Sequence, residues 1–371
     1  MRIRAMLTAL MIFAALSADC TAESKVAKDK GTIAMRYRDH APLPDGLPTG
    51  PLNRITDVPG LAVGHHTLIE DSPRVLRTGV SVLRIDDALN RPVAAACHVF
   101  NGYGKSMGLV QIEELGSIES SIYLTNTLSI GAVQQGAVAL VREANPHLRS
   151  HNAVVMECND GTLSQIATLA VTPEMAGLAM ADAREDFALG SVGAGTGMIC
   201  FGFKGGIGSA SRRIAVDGRE FTVGALVLAN FGRREDLRMP GLETALSTSG
   251  ESGDGSLIMI IATDLPLLPH QLKRVARHAG NGMGLLGCPG SNGSGDISIA
   301  FSTTTRGGGA DTFQQREVIV NDSATMSLAF RAAAWATAEA ILDAMVASPA
   351  MKSHHGDVPA LGEVLAKART D

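Results

Sequence analysis

The stretch Gly-Asp-Gly-Ser-Leu-Ile-Met-Ile, residues 253–260, joins a polar loop to a strongly apolar strand. Residues 247–255 read Ser-Thr-Ser-Gly-Glu-Ser-Gly-Asp-Gly and break all periodicity, which is typical of a loop. Residues 256–263 read Ser-Leu-Ile-Met-Ile-Ile-Ala-Thr and predict a strand. Because this strand is apolar on both faces, we expect it to lie inside a layered sheet.

The bond between Gly255 and Ser256 fits a self-cleavage site. Glycine permits the strained backbone that exposes its carbonyl to the next hydroxyl. Attack by Ser256 Oγ would give an ester, and hydrolysis of that ester would leave Ser256 as a new amino terminus. Its α-amine, with a pKa near ~8, would then accept the hydroxyl proton. The alternative for this stretch is an ordinary flexible Gly/Ser loop.

Strands and helices alternate along the rest of the chain, without an internal repeat or a linker between two cores. This pattern predicts one layered α+β domain. Residues 55–60 predict a turn before a short strand, and the Asp217-Gly218 turn predicts a hairpin. Further strands are predicted at 75–85, 93–100, 152–158 and 297–302, and helices at 130–143, 269–282 (ended by Gly282) and 323–346 (capped by Ser323).

Composition narrows the functional classes. The chain has 371 residues, of which 45% are hydrophobic and 19% charged, so it has enough apolar side chains for a sizeable core. Its net charge is −5 with no basic block, which argues against a nucleic-acid-binding surface. Residues 23–50 are charged and then rich in Pro and Gly, and they predict an extended arm.

The first 22 residues predict a signal peptide. Arg2 and Arg4 precede the apolar run 5–18, which is too short to span a bilayer. Cleavage after Ser17 or after Ala22 is plausible. A lipoprotein anchored at Cys20 is an alternative that the preceding Asp19 disfavours, and an amphipathic N-terminus is a third. We therefore expect a periplasmic or secreted protein.

No metal or cofactor is indicated. The remaining cysteines are widely spaced and contain no CxxC pair, which argues against zinc and favours buried thiols, although the expected compartment permits a disulfide. His65-His66 lacks a nearby third ligand. Residues 193–197 read Gly-Ala-Gly-Thr-Gly, but Met198 stands where a dinucleotide loop needs its last glycine. Tight packing of glycine backbone near the active site is the preferred interpretation. The four cysteines that follow Cys20, discussed above as buried thiols, are Cys97, Cys158, Cys200 and Cys288.

Several motifs in order make the sequence resemble the DmpA-like L-aminopeptidase/D-amidase-esterase family, which includes the β-peptidyl aminopeptidases. The resemblance covers nearly the whole chain after the leader. The motifs are Asn-Arg-Ile-Thr-Asp-Val-Pro-Gly-Leu-Ala-Val-Gly (53–64), Gln-Ile-Glu-Glu-Leu-Gly (111–116), Leu-Thr-Asn-Thr-Leu-Ser (124–129), Val-Gly-Ala-Gly-Thr-Gly-Met (192–198), Cys-Phe-Gly-Phe-Lys-Gly-Gly (200–206), Gly255-Ser256 and Asn-Gly-Ser-Gly-Asp-Ile (292–297).

The resemblance implies a four-layer αββα sandwich like that of amino-terminal nucleophile hydrolases, with a different strand connectivity. It also implies that cleavage gives an α chain (23–255) and a β chain (256–371), which stay together as one domain. Such αβ units form tetramers in the family, and the Pro-rich residues 40–51 are a candidate for reaching a neighbouring unit.

The resemblance also assigns the site. Ser256 corresponds to the nucleophile, and Ser294 with Asp296 to the pair that supports it, although Ser-Gly-Asp is otherwise an ordinary turn. Asn230 corresponds to the oxyanion donor and Glu157 to the carboxylate that binds the substrate amine. Asn159 falls where DmpA has a tyrosine of the oxyanion site, so either Asn159 donates instead or that half of the site is weaker.

Together these features predict a self-processing serine aminopeptidase that acts on short peptides, amides or esters with a free amine. Asp296 replaces the glutamate of β-peptide-cleaving members, which leaves a preference for β, D-α or L-α residues open. An acyltransferase of the ornithine acetyltransferase type is one alternative, although that type exposes threonine. A catalytically inactive secreted binding protein is the other.

Overall fold

The computed structural model describes residues 35–242, 255–308, 312–320, 323–353 and 355–367. The predicted leader (1–22), most of the loop before Ser256 and the proposed cap at the Ser323 side chain lie outside this description. Among the described residues, no helix is both long enough and apolar enough to cross a membrane.

Two mixed sheets form the centre of the structure. The first has the strand order β1-β2-β6-β7-β4 and the second the order β10-β11-β12-β13-β3-β5, while β8–β9 and β14–β15 form two small ladders. The strands are β1 Leu61–Glu70, β2 Leu76–Ile85, β3 Val93–Gly102, β4 Ser106–Met107, β5 Ser117–Ile118, β6 Ile122–Asn126, β7 Val154–Cys158, β8 Ile199–Cys200, β9 Phe203–Lys204, β10 Gly206–Val216, β11 Arg219–Asn230, β12 Ser256–Thr263, β13 Gly295–Arg306, β14 Met351–Ser353 and β15 Gly356–Val358.

Helices cover the outer face of each sheet. The helices Ile130–Ala144 and Glu174–Ala181 contact the first sheet, whereas Pro269–Ala279 and Ser323–Val346 contact the second. The α-helices are α1 Leu109–Leu115, α2 Ile130–Ala144, α3 Glu174–Ala181, α4 Pro269–Ala279, α5 Asn281–Leu285, α6 Ser323–Val346 and α7 Leu361–Lys367, and the short 3-10 helices are Tyr37–Asp39, Ile55–Asp57, Ile166–Thr168, Gly193–Gly197 and Arg234–Asp236.

Strand β12 shows how the layers are held together. Leu257, Met259 and Ile261 face the apolar cluster under α4 and α6, whereas Ile258 and Ile260 face the cluster between the two sheets. A third cluster packs the first sheet against α2 and α3. Side chains alternate between the faces of a strand, so a continuous apolar run serves both interfaces. The predicted αββα order and the buried strand 256–263 are confirmed.

Most predicted elements occur with small shifts of their ends. The Asp217-Gly218 hairpin turn is confirmed, with both residues at positive φ as a type I′ turn requires. Two predictions were wrong. β1 is ten residues long because it pairs with β2 along its whole length. Gly282 does not end a helix: α4 stops at Ala279, and Gly282 lies inside α5, where a Cβ would come within 2.7 Å of the Ala334 carbonyl oxygen.

The N-terminal arm packs on its own chain. Tyr37, Ala41 and Leu43 are buried in the cluster beneath α6. Asp45 forms a buried ion pair with Arg212, whose Nη1 is 2.7 Å from Glu339 Oε2 on α6. Alternate side chains of residues 40–51 are thus used inside the chain itself, whereas the prolines at 42, 44, 48 and 51 are exposed, and their contact with a neighbouring unit stays a prediction.

Candidate active site

Ser256 is the first residue of β12, a central strand of the second sheet. Asn230, the last residue of β11, is its antiparallel partner, and Gly295, the first residue of β13, is its parallel partner. Directly paired residues on antiparallel strands place their Cβ atoms about 5 Å apart on the same face. A cavity of about 510 Å³ opens here, and its wall includes Asn230, Ser256 and Glu157.

The Gly255–Ser256 bond is tightly surrounded by groups of the neighbouring strands β11 and β13. The Gly295 N–H donates to the Gly255 carbonyl oxygen at 3.0 Å, and the same nitrogen lies 3.3 Å from Ser256 Oγ. A Cβ on Gly255 would lie 2.0 Å from the Asn230 carbonyl oxygen. Only glycine fits here, so the structure adds a steric reason for the glycine that precedes Ser256.

Ser294 and Asp296 form the predicted pair. Ser294 Oγ donates to Asp296 Oδ1 at 2.7 Å, and the Asp296 side chain is fully buried. Burial raises the pKa of Asp296 to about 6, against the lowering effect of hydrogen bonds from Ser294 and the Leu257 backbone. The strand begins at Gly295 rather than at Ile297, so Asp296 belongs to β13 and does not precede it.

Asn230 is held by two backbone groups that fix the orientation of its carboxamide. The Ile199 N–H donates to Asn230 Oδ1 at 2.8 Å, and Asn230 Nδ2 donates to the Asn159 carbonyl oxygen at 2.9 Å. A carboxamide nitrogen carries two hydrogens. The second one is therefore available for an oxygen in the cavity, which Asn230 lines.

Asn159 contacts Asn230 through its backbone. Its side-chain oxygen accepts the Gly161 N–H at 2.8 Å, while its carbonyl oxygen accepts the bond from Asn230. Both Asn159 and Asn230 line the cavity. The side-chain amide of Asn159 is thus near the site, and its carbonyl has a positioning role that the sequence did not indicate.

Glu157 is a buried carboxylate at the end of β7, with 2% of its surface exposed. The Lys105 N–H donates to Oε1 at 2.8 Å, and the Thr127 hydroxyl donates to Oε2. Among the described residues, no cationic side chain forms an ion pair with it. A buried carboxylate generally requires a cation, and a substrate ammonium in the cavity would supply it.

Comparison with known proteins identifies the family. Residues 53–358 match the profile of peptidase family S58. The chain is 40% identical over 339 residues to the β-peptidyl aminopeptidase BapA of Sphingosinicella microcystinivorans, a match covering 83% of this chain and 84% of that protein. This chain belongs to peptidase family S58.

Solved structures agree with the S58 assignment. A β-aminopeptidase from Burkholderia sp. is 40% identical with a TM-score of 0.82, covering 91% of this chain and 98% of that one. The L-aminopeptidase D-Ala-esterase/amidase of Ochrobactrum anthropi, described as a serine aminopeptidase with a variant of the Ntn hydrolase fold, is 35% identical with a TM-score of 0.81, covering 90% of this chain and 97% of that one. The predicted DmpA-like family, fold and aminopeptidase activity are confirmed.

The glycine-rich segment of this S58 peptidase is a packing element. The 3-10 helix Gly193–Gly197 is entirely buried, and a Cβ on Gly197 would lie 2.2 Å from the Arg77 carbonyl oxygen. The predicted glycine packing near the site is thus confirmed. His65 is also a packed residue: its Nδ1 is 2.8 Å from Ser81 Oγ, and burial lowers its pKa to about 4.

The four cysteines in the described part of the S58 chain are buried free thiols, as favoured from the sequence. Cys158 lies nearest the site, with Sγ 3.3 Å from the Ser256 carbonyl oxygen. Burial raises its pKa, so it is a poor source of thiolate. Among the described residues, no group of three or more His, Cys, Asp or Glu side chains could hold a metal ion.

We expect Asp296→Asn to slow this S58 peptidase at pH 8 without destabilising it there. The folded-state pKa of about 6 lies above the value of ~3.9 in an unfolded chain, so the folded state binds the proton more tightly. Asp296 therefore contributes stability below pH ~4, and this contribution is lost as pH rises to about 6. Removing the charge should raise the urea midpoint at pH 8, relative to wild type, more than at pH 4.

Ser294→Ala is the matched control, because it removes the hydrogen bond that lowers the Asp296 pKa and keeps the carboxyl. The acidic limb of the pH profile of kcat/KM for Ser294→Ala should move to higher pH, because the pKa of Asp296 rises when this hydrogen bond is lost. An unchanged pH profile in both variants would show that this pair does not support the reaction.

Proposed function

We propose that this S58 peptidase cleaves its own Gly255–Ser256 bond and then uses Ser256 to remove N-terminal residues from short peptides, amides or esters. The observation that carries the proposal is the arrangement around one cavity. Ser256 begins a central strand, Asn230 is its cross-strand partner, and Glu157 lies on the same wall.

In the self-cleavage step, Ser256 Oγ attacks the Gly255 carbonyl carbon. The Gly295 N–H, which donates to that carbonyl oxygen, stabilises the negative charge that develops on it. The C–N bond breaks, the nitrogen takes up a proton, and Gly255 is left as an ester on Ser256. Water then hydrolyses the ester, which gives a Gly255 carboxylate and a free Ser256 amine beside its own hydroxyl.

In turnover, Glu157 holds the substrate ammonium and thereby places the first carbonyl near Ser256. The neutral Ser256 amine takes the hydroxyl proton as Oγ attacks, and later gives a proton to the leaving amine. Asn230 Nδ2 donates to the oxyanion. Water attacks the resulting acyl ester, releases the N-terminal residue as the free acid and restores Ser256.

We further propose that β-amino acid residues are accepted at the cleaved position. Two relatives are named β-peptidyl aminopeptidases and a third protein is a β-aminopeptidase, each at 36–40% identity. Acceptance of L residues or D-Ala is the second candidate, since the 35% identical relative is named an L-aminopeptidase D-Ala-esterase/amidase. Turnover of p-nitroanilides of β-homo amino acids, L-Ala and D-Ala separates them, and release of L-Ala alone would contradict the β proposal.

Glu157→Gln is expected to raise KM for free-amine substrates at least ~10-fold, because a buried ion pair to the substrate is lost. Its effect on kcat should be smaller. N-acetylated substrates should already be poor for the wild-type enzyme and should lose little more in the variant. Asp182→Asn, a change of a carboxylate that hydrogen-bonds the His65 N–H and does not line the cavity, is the control. Equal turnover of acetylated and free peptides would exclude an exopeptidase.

Assays also distinguish the proposed peptidase from the two alternatives, an acyltransferase and an inactive binding protein. Acetyl transfer to ornithine would favour the acyltransferase, and absence of any turnover by a folded protein would favour the inactive binding protein.

Export and assembly remain proposals. We propose that the leader 1–22 directs the chain to the periplasm or outside the cell, and that the two chains of each unit stay together in a tetramer. The clusters on both faces of β12 support joint retention of the chains, since residues 35–242 and 256–367 both contribute to them. The N-terminal sequence of the exported larger chain and the mass from light scattering test these two proposals.

A further inference from the structure

Lys204 is a fully buried cation beside the glycine-rich segment. Its Nζ donates to the carbonyl oxygens of Gly195 at 3.0 Å, Met198 at 2.9 Å and Gly205 at 2.8 Å. An ammonium has three hydrogens and a neutral amine only two. Three carbonyl acceptors therefore select the charged form, although burial lowers the pKa of Lys204.

This cation has no carboxylate counter-ion among the described residues, since no ion pair involves it. Burying a charge is unfavourable unless it is paired, and apolar residues of similar volume generally stabilise a core more. Stability alone is thus a poor explanation for a lysine here. Gly195, whose carbonyl oxygen accepts one of the three bonds, must be glycine, because a Cβ there would lie 2.5 Å from the Ile207 nitrogen.

The peptide group between Met198 and Ile199 connects Lys204 to the active site. Its carbonyl oxygen accepts the bond from Lys204 Nζ and a second from the Gly205 N–H at 2.9 Å. Its N–H, on Ile199, donates to Asn230 Oδ1 at 2.8 Å. One rigid peptide plane therefore contacts the buried cation on one side and the Asn230 carboxamide on the other.

We propose that Lys204 is a positioning residue of the oxyanion site. Its ammonium fixes and polarises the Met198–Ile199 peptide, which orients the Asn230 carboxamide and strengthens it as a donor. Hydrogen bonds in a chain polarise one another, so the ammonium at one end of this chain strengthens the Asn230 N–H as a donor to the tetrahedral intermediate. The proposal rests on the proposed role of Asn230 and gives the glycine-rich segment a function in catalysis.

A double-mutant cycle tests the link. Lys204→Met is expected to lower kcat roughly 10-fold or more, with KM for a p-nitroanilide nearly unchanged, because the oxyanion forms after binding. In an Asn230→Ala background, Lys204→Met should lower kcat little further, since residues that act through one another are not additive. All rates are normalised to the cleaved fraction on a gel, and Lys352→Met, at an exposed position, is the control.

Ile199→Pro is the second variant, because it removes the N–H that holds Asn230 and leaves the Lys204 ammonium in place. It should reproduce the kcat loss of Lys204→Met. If Lys204→Met does not fold or is not cleaved, Ile199→Pro tests the link from the Met198–Ile199 peptide to Asn230 on its own. Full additivity in the cycle, or an unchanged kcat in Ile199→Pro, would overturn the proposal. A wild-type chain that stays uncut and inactive would instead overturn the proposed function.

Discussion

Ser256→Ala is expected to remain a single chain without measurable aminopeptidase activity. The change removes the hydroxyl that, in the proposed mechanism, attacks Gly255 in processing and the substrate carbonyl in turnover. Loss of a serine nucleophile costs about 10⁶-fold in kcat in a well-studied serine protease, and here the uncut chain would also lack the free amine that acts as base. We therefore expect kcat to fall by at least about 10⁶-fold, below what a p-nitroanilide assay detects.

The measurement is a denaturing gel combined with N-terminal sequencing. Wild type should give two bands, and the smaller chain should begin Ser-Leu-Ile-Met, the sequence at 256–259. Ser298→Ala is the matched control: this buried β13 serine donates to the Ala276 carbonyl oxygen at 2.7 Å and does not line the cavity. The control should be cut normally. A smaller chain that begins at another residue would exclude Ser256 as the nucleophile.

The proposed processing would also keep the enzyme inactive until it is folded. In the intact chain the Ser256 nitrogen is an amide and has no basic lone pair, so the proposed base is absent. The groups that surround Gly255 come from β11 and β13, which are far apart in sequence. We therefore expect cleavage only after the second sheet has assembled around β12.

The layers of the fold could be predicted from local sequence because β12 is apolar on both faces, which requires a layer on each side. The end of α4 could not, because Gly282 resembles a helix stop and is instead needed for close contact with Ala334. The burial of the arm residues Ala41 and Leu43 could not be predicted either. Their burial depends on α6, some 300 residues later, and a Pro-rich composition does not reveal such a partner.

The candidate site, too, could be predicted only in part. Ser256 was a candidate from its own chemistry that the family resemblance then favoured over an ordinary loop, whereas Asn230 and Glu157 were assigned from the resemblance. The groups that hold these side chains were missed: the Ile199 and Lys105 N–H groups and the Thr127 hydroxyl. Any residue other than proline can supply a backbone N–H, so these contacts leave no residue signature. Thr127 lies in the 124–129 motif, which was the only signal that could have found it.

Asn230→Ala is expected to lower kcat by about 10²–10³-fold and to leave KM nearly unchanged, which is the typical loss for one oxyanion donor. The free Nδ2 hydrogen is needed when the carbonyl oxygen becomes negative, and contributes little when substrate first binds. Asn230→Asp should be slower still, because a carboxylate would face the Asn159 carbonyl oxygen and the developing oxyanion. The large effect makes this variant the most direct test of the turnover chemistry.

Kinetics on cleaved protein separate an effect on kcat from an effect on KM. A thermal melt of each variant shows whether its stability has changed. Asn145→Ala, which removes a remote side-chain bond to the Val141 carbonyl oxygen at the end of α2, is the control and should keep full activity. Asn230→Ala should melt close to wild type if its main role is in the transition state. A variant with raised KM and normal kcat would make Asn230 a substrate-binding residue. It would also remove the basis for the connection to Lys204, because a positioning residue has no effect on kcat through a donor that the reaction does not use.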